Sequence, residues 1–282
     1  MIECRQQGAL YGLIAFGTTW FFWIAALVLG YEDMPFMTFI RGQFDSLNQL
    51  AAFIIFRLGV YGPLAASIFV TYRYHKGEGL KELWGRMIKW RVKLNWYLYL
   101  FLIPVIINLA VVLVGLIMGI PVQSFFRSSI PLNFVLIYFL YEVFTSGMEE
   151  PGWRGFLLDK LQSKYTAEKA SWYLGIIWAV WHYPYVIYLY YNSGFVTTVF
   201  SLAGFTMAII GQTFFFTWLY NNTKSIFIAI LFHAWLNISM TMILGDITIS
   251  NPAMGIVPAL ITWGAVAILL KRYGGETLVK PV

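Results

Sequence analysis

The chain alternates between long apolar stretches and short polar connections along its whole length. A helix needs about 20 apolar residues to cross the hydrocarbon core of a bilayer. Eight stretches approach that length, although the fourth is short of apolar length. They lie near residues 9–29, 51–72, 97–120, 131–149, 171–191, 195–219, 225–244 and 253–270. The pattern predicts an all-α, polytopic membrane protein with about eight transmembrane helices and a single domain over residues 1–282.

The composition excludes several other classes of protein. Of the 282 residues, 60% are hydrophobic and 11% are charged, whereas a soluble globular chain carries about 25% charged residues. A soluble enzyme, a disordered chain and a disulfide-rich secreted scaffold are therefore not expected.

The basic residues are sorted between the two sides of the predicted bundle. Sixteen of the 19 lysines and arginines fall in the N-terminus, the C-terminus and alternate connections. Arg41 and Arg127 fall on the other side, and Arg57 lies inside the second apolar stretch. Because cytoplasmic loops are enriched in basic residues, we expect both termini in the cytoplasm and the protein in the cell membrane.

The most basic connection, residues 73–96, also contains Trp84, Trp90 and Trp96. Basic side chains attract anionic lipids, and tryptophan rings favour the depth of the lipid headgroups. We expect this connection to lie on the cytoplasmic leaflet, with the bilayer rather than a nucleic acid as its partner.

Ionisable groups inside apolar stretches are costly, so they are candidates for function. Glu149 and Glu150 end the fourth stretch, and Arg154 follows four residues after Glu150. On a helix this spacing places Glu150 and Arg154 on one face, with Glu149 about 100° away. Pro151 and Gly152 are expected to break or kink the helix just after the two glutamates. The alternative is a solvated helix end with an ordinary ion pair.

Two histidines and an asparagine lie inside other apolar stretches. His182 is in the fifth stretch, and His233 and Asn237 share one helix face in the seventh. Each has a structural alternative, because buried polar side chains also hold membrane helices together. Taken together with Glu149, they suit hydrolysis: a carboxylate and an imidazole can remove a proton from water. The second imidazole and the amide can then stabilise an oxyanion.

Glu142 lies seven residues before Glu149, on nearly the same helix face. It could line a polar cavity with Glu149 or disfavour its ionisation by like-charge repulsion. The alternative is that Glu142 is the ion-pair partner of Arg57.

Three motifs in order give the chain a resemblance to a known family. They are the segment EEPGWR over residues 149–154, Trp178-x-x-x-His182 and His233-x-x-x-Asn237. They resemble the motifs of the CPBP intramembrane proteases, also called the ABI family. This group contains the type II CAAX prenyl endopeptidases and bacteriocin self-immunity proteins. The resemblance is specific over about residues 140–240.

The resemblance implies a fold and a set of roles. The helices would surround a conical polar cavity, with the catalytic core at about residues 131–245. Glu149 would activate water beside His182, while His233 and Asn237 would form the oxyanion site. Glu150 and Arg154 would support them, and Glu142 would line the cavity. The implied activity is endopeptidase cleavage of a membrane-associated peptide or protein, with CAAX processing as the family analogy.

The sequence leaves alternatives open for both the cofactor and the function. Glu149, His182 and His233 could ligate a divalent metal such as zinc. The chain has no H-E-x-x-H motif, and asparagine is a poor zinc ligand, so an obligatory metal is not favoured. One alternative function is a proton-coupled transporter that uses Glu142, Glu149 and His182. Another is a non-catalytic, peptide-binding immunity protein. The oligomeric state is left open.

Overall fold

The computed structural model describes residues 2–126, 128, 130–245, 247 and 252–279, and this part of the chain is helical, without a strand. Arg127 and Lys280, which entered the count of basic residues, lie outside the described residues. The α-helices are α1 (Ile2–Val28), α2 (Phe36–Ile40), α3 (Leu47–Gly59), α4 (Gly62–Met87), α5 (Leu94–Ile117), α6 (Val135–Phe144), α7 (Glu150–Gly152), α8 (Leu158–Gln162), α9 (Ala167–Trp181), α10 (Tyr183–Tyr190), α11 (Phe195–Thr223), α12 (Ile226–Ile243), α13 (Pro252–Gly255) and α14 (Val257–Tyr273).

The helices confirm an all-helical membrane protein but not the count of eight spans. Within the described part, α1, α5, α11 and α12 are long and apolar enough to cross a bilayer. Together, α3 and α4 make a fifth candidate, bent by 43°. The fourth, fifth and eighth predicted stretches are carried by shorter or interrupted helices. Leu13 and Phe21 of α1 are exposed, as side chains that face lipid should be.

The largest buried cluster lies where α1, α4, α9, α11 and α12 meet the segment that joins α6 to α8. Trp153, Trp178 and Trp181 are among its most fully buried side chains. Large rings fill the space between helices, so the polar groups described below sit in aromatic surroundings.

The break between α3 and α4 is held by α1. The Thr19 hydroxyl donates to the carbonyl of Gly59 at 2.7 Å, and the Trp23 indole donates to the carbonyl of Phe56 at 3.0 Å. These carbonyls lie in the last turn of α3, where no intrahelical donor is available. A Cβ at Gly59 would lie 2.5 Å from the Trp23 ring, so glycine permits the close packing of α1 against the bend.

The two-glutamate motif lies on an interrupted helix. The backbone leaves α6 at Thr145, whose ψ is −95°, and continues as a 3₁₀ turn over Ser146–Glu149. After α7 it forms one turn of π-helix over Trp153–Leu157. The interruption therefore begins at Thr145, earlier than predicted. Pro151 does not break α7, because it occupies the first turn of that helix, where a missing N–H breaks no hydrogen bond. We call residues 146–157 the motif segment.

The basic connection is largely helical. α4 continues to Met87, with a non-helical backbone at Lys76. Trp84 and Trp90 are exposed, as expected of rings at a membrane surface, whereas Trp96 packs against Trp218 with ring centroids 5.0 Å apart. Two of the three tryptophans are thus exposed, and the placement of this connection on the cytoplasmic leaflet stays a prediction.

The packing of α9 on α11 gives a test of the fold. A Cβ at Gly175 would lie 2.7 Å from the Cα of Ile210, so Gly175→Ala should force the helices apart and cost about 1–3 kcal/mol. Gly264→Ala in α14 is the control, because no atom lies within 4 Å of its added Cβ. Thermal unfolding in detergent should show a lower Tm for Gly175→Ala alone. Equal Tm values in the two variants would contradict the packing.

Candidate active site

The Glu149 carboxylate is held on one side by two tryptophans. The indole N–H groups of Trp153 and Trp178 donate to the same oxygen, Oε2, at 3.1 and 2.8 Å. Glu149 is 3% exposed. No side chain in the described part of the chain donates to Oε1, so one oxygen is fixed while the other can accept a further hydrogen bond.

The neighbouring carboxylate, Glu150, joins two parts of the bundle. It is fully buried, and its oxygens lie 2.9 Å from Nη1 of Arg154 and 2.8 Å from Nδ1 of His233. The Arg154 guanidinium is also buried, 4.5 Å from the ring centroid of Trp178 and 3.8 Å from that of Phe216. The hydrogen bond with His233 connects the motif segment to α12, whereas the bond with Arg154 lies within the motif segment. Both hydrogen bonds are charge-assisted.

His182 follows the last residue of α9. Its Nδ1 lies 2.9 Å from the carbonyl oxygen of Trp178. A carbonyl oxygen can only accept, so Nδ1 carries a proton and Nε2 of the neutral ring has a free lone pair. The imidazole is half-buried, with the rings of Trp181 and Phe205 beside it at 4.6 and 5.3 Å.

Asn237 lies one turn after His233 on α12. Its side-chain nitrogen donates to Oε2 of Glu142 at 2.9 Å and to the hydroxyl of Ser146 at 3.2 Å. Ser146 in turn donates to Glu142 at 2.6 Å. Both amide hydrogens of Asn237 are therefore in use, and the side chain can reach an oxyanion only by releasing one of these acceptors.

The structure brings three of the predicted site residues around one ring. Trp178 donates to Glu149, and its ring lies 5.5 Å from that of His233 and 6.0 Å from that of His182. Asn237 belongs to a neighbouring cluster with Glu142 and Ser146.

The possible ion pair between Glu142 and Arg57 is not formed. No salt bridge within 4.0 Å joins them in the described part of the chain, and Glu142 is instead hydrogen-bonded to Ser146 and Asn237.

Sequence reasoning missed the contributions of Trp153, Trp178 and Ser146. It used Trp178 only as the aromatic residue of a motif and did not consider its N–H as a donor. A signal was present in the spacing: Trp153 follows Glu149 by four residues, and Trp178 precedes His182 by four. Ser146 follows Glu142 by the same interval. Each spacing is that of side chains on one helix face.

The donors present do not fit a bound metal. Among the described residues, no three His, Cys, Asp or Glu side chains converge as ligands. Oε2 of Glu149 already accepts two indole protons, at 3.1 and 2.8 Å. We therefore derive no step through a metal.

Comparison with known proteins agrees with the three motifs. Residues 131–239 match the sequence model described as type II CAAX prenyl endopeptidase Rce1-like. The chain is also 27% identical over 254 residues to "CAAX prenyl protease 2" of Methanococcus maripaludis, covering 85% of this chain and 86% of the relative. The likeness extends beyond residues 140–240, which the motifs alone had marked.

The buried network around Glu150 predicts how the fold responds to its loss. Glu150→Ala leaves the buried Arg154 guanidinium without its anion, which should cost about 3–5 kcal/mol. The double variant Glu150→Leu/Arg154→Met removes both charges and should unfold at a higher denaturant concentration than Glu150→Ala. Chemical denaturation in mixed micelles measures both. A double variant no more stable than Glu150→Ala would contradict this role for Glu150.

Proposed function

We propose that the chain, which is similar to the type II CAAX prenyl endopeptidases, is a protease that cleaves a peptide bond with water activated by Glu149 and His182. The observation that carries this proposal is the asymmetric environment of Glu149. Two indoles fix Oε2, while Oε1 has no donor among the described residues. A carboxylate held in this way presents one oriented oxygen to a water molecule.

The imidazole of His182 is placed to share this task. The hydrogen bond from Nδ1 to the Trp178 carbonyl leaves the Nε2 lone pair available. In the proposed reaction, Glu149 and His182 orient the water, and one of them takes its proton as the oxygen attacks the peptide carbonyl. The same group then returns the proton to the leaving amine.

The oxyanion that forms requires donors on the opposite side of the carbonyl. His233 donates through Nδ1 to Glu150, so Nε2 donates to the oxyanion when the ring carries a second proton, a form that an adjacent carboxylate stabilises. Asn237 supplies the second donor when the oxyanion replaces Ser146, its longer partner. Glu142 retains the other amide hydrogen and holds Asn237 in place.

The substrate that we propose is a membrane-associated protein cut near its C-terminus. The relative is called a CAAX prenyl protease, and a C-a-a-X sequence is a C-terminal site of cysteine prenylation. We place the reaction in a conical polar cavity of the catalytic core, residues 131–245. The sorted basic residues support cytoplasmic termini in the cell membrane.

Glu149→Gln tests the proposed water activation. It keeps the size of the side chain but removes the carboxylate base, so cleavage by the purified protein in proteoliposomes should fall at least about a thousandfold with an unchanged Tm. Glu32→Gln is the matched control, because Glu32 is exposed. Full cleavage by Glu149→Gln would refute the assignment. Proton-coupled solute uptake without any proteolysis would support the transporter alternative.

Trp178→Phe tests the hydrogen bond that orients Glu149. The substitution keeps a ring beside His233 but removes the N–H that donates at 2.8 Å. A hydrogen bond to a charged group contributes about 1.5–3 kcal/mol, so kcat should fall about 10–100-fold while KM stays within about threefold. Unchanged kcat would show that the indole N–H has no part in catalysis.

A further inference from the structure

Arg57 is a cation inside the bundle with no described hydrogen-bond partner. It lies in α3, and none of its five N–H groups donates to a residue in the described part of the chain. Its Nε is buried. The guanidinium lies over two aromatic rings, 4.9 Å from the centroid of Phe53 and 5.5 Å from that of Tyr141. An arginine inside a membrane protein normally pairs with an anion or a carbonyl.

The neighbouring carboxylates have other partners. Glu142 accepts from Ser146 and Asn237, at 2.6 and 2.9 Å. Asp33 accepts from the hydroxyl of Tyr31 at 3.1 Å and from that of Tyr185 at 3.5 Å. Neither carboxylate comes within ion-pair distance of Arg57. The guanidinium is thus partly buried with no compensating anion among the described residues, a costly arrangement for a group that only stabilises the fold.

Arg57 lies at a similar depth to His182. Trp23 of α1 donates to the carbonyl of Phe56, the residue before Arg57. Trp20, less than one turn away, donates to the carbonyl of Trp181, the residue before His182. Trp23 lies five residues before the end of α1, which is about 8 Å along a helix. The residues before Arg57 and His182 thus contact neighbouring turns of α1.

Aromatic side chains lie between His182 and the part of α3 that carries Arg57. The Trp23 ring lies 6.2 Å from those of His182 and Tyr185. Tyr185 in turn lies 5.3 Å from Phe56. Tyr185 and Arg57 are only partly buried. An apolar peptide segment that passes the catalytic groups along this wall would end near a guanidinium.

We propose that Arg57 binds the C-terminal carboxylate of the peptide substrate. The planar guanidinium matches a carboxylate with two parallel hydrogen bonds. The interaction rests on the proposed function, because it fixes the end of a substrate that is cut a few residues before its C-terminus. Arg57 would then determine which C-termini are accepted and would fix the number of residues between the C-terminus and the cleaved bond.

Binding to an inactive protein separates this site from catalysis. The probe is a fluorescent peptide with a prenylated cysteine and three further apolar residues, made as the free acid and as the C-terminal amide. The full chain with Glu149→Gln in nanodiscs should bind the acid at least tenfold more tightly than the amide. Adding Arg57→Gln should abolish this preference, whereas adding Arg41→Gln, which removes an exposed charge, should preserve it.

Stability and kinetics distinguish a substrate contact from a structural role. Arg57→Met removes a partly buried cation that has no described anion, so its Tm should be equal to or above that of the unmodified protein. In the active protein, Arg57→Gln should raise KM for the acid about tenfold or more, with kcat within about threefold and no change for the amide. A lower Tm together with equal losses on both peptides would assign Arg57 to the fold and overturn the proposal.

Other results of the binding, cleavage and displacement measurements also decide whether Arg57 binds the substrate carboxylate. Equal binding of acid and amide, or binding of neither, overturns the carboxylate site even if the protein cleaves peptides. Acid-selective binding that depends on Arg57, without cleavage by the unmodified protein, supports the site and refutes the proposed protease chemistry. Displacement of the acid peptide by phosphatidic acid at lower concentration would assign Arg57 to lipid phosphate instead.

Discussion

The Glu150 carboxylate is the group on which the rest of the site depends. It is fully buried and compensates two cationic or proton-donating partners, Arg154 and His233, that come from different helices. In a low-dielectric interior neither partner would be stable there without it, because an unpaired buried charge costs several kcal/mol. The hydrogen bond between Glu150 and His233 fixes the motif segment against α12.

The tryptophans complete the arrangement by acting as hydrogen-bond donors in an apolar core. Trp178 stacks on Arg154 and contacts His233, while its N–H donates to Glu149. Trp153 supplies the second donor to the same oxygen. An indole combines a large apolar surface with one N–H, so it can orient a carboxylate without bringing water or another charge beside it. The other oxygen of Glu149 has no side-chain donor among the described residues.

The interrupted helix explains how two adjacent glutamates acquire different roles. A 3₁₀ turn ends at Glu149, and the π-helix begins at Trp153, directly after α7. π-Helical turns occur frequently at functional sites. Here the changes in winding allow Glu150 to pair within the core while Glu149 faces the two indoles. Arg57 is a further costly charge inside the bundle, and in our proposal the carboxylate of the substrate compensates it.

The sequence by itself determined the class of the protein and the identity of its polar groups. Apolar length predicted helices and a membrane, and the scarcity of charge made Glu149, His182 and His233 conspicuous. Spacing also predicted the pair of Glu150 with Arg154, because a four-residue interval is local. Only the tertiary structure decided what spacing cannot encode. It interrupts the predicted spans, pairs His233 with Glu150 and Asn237 with Glu142, and gives Arg57 no anion among the described residues. These contacts depend on how distant helices pack.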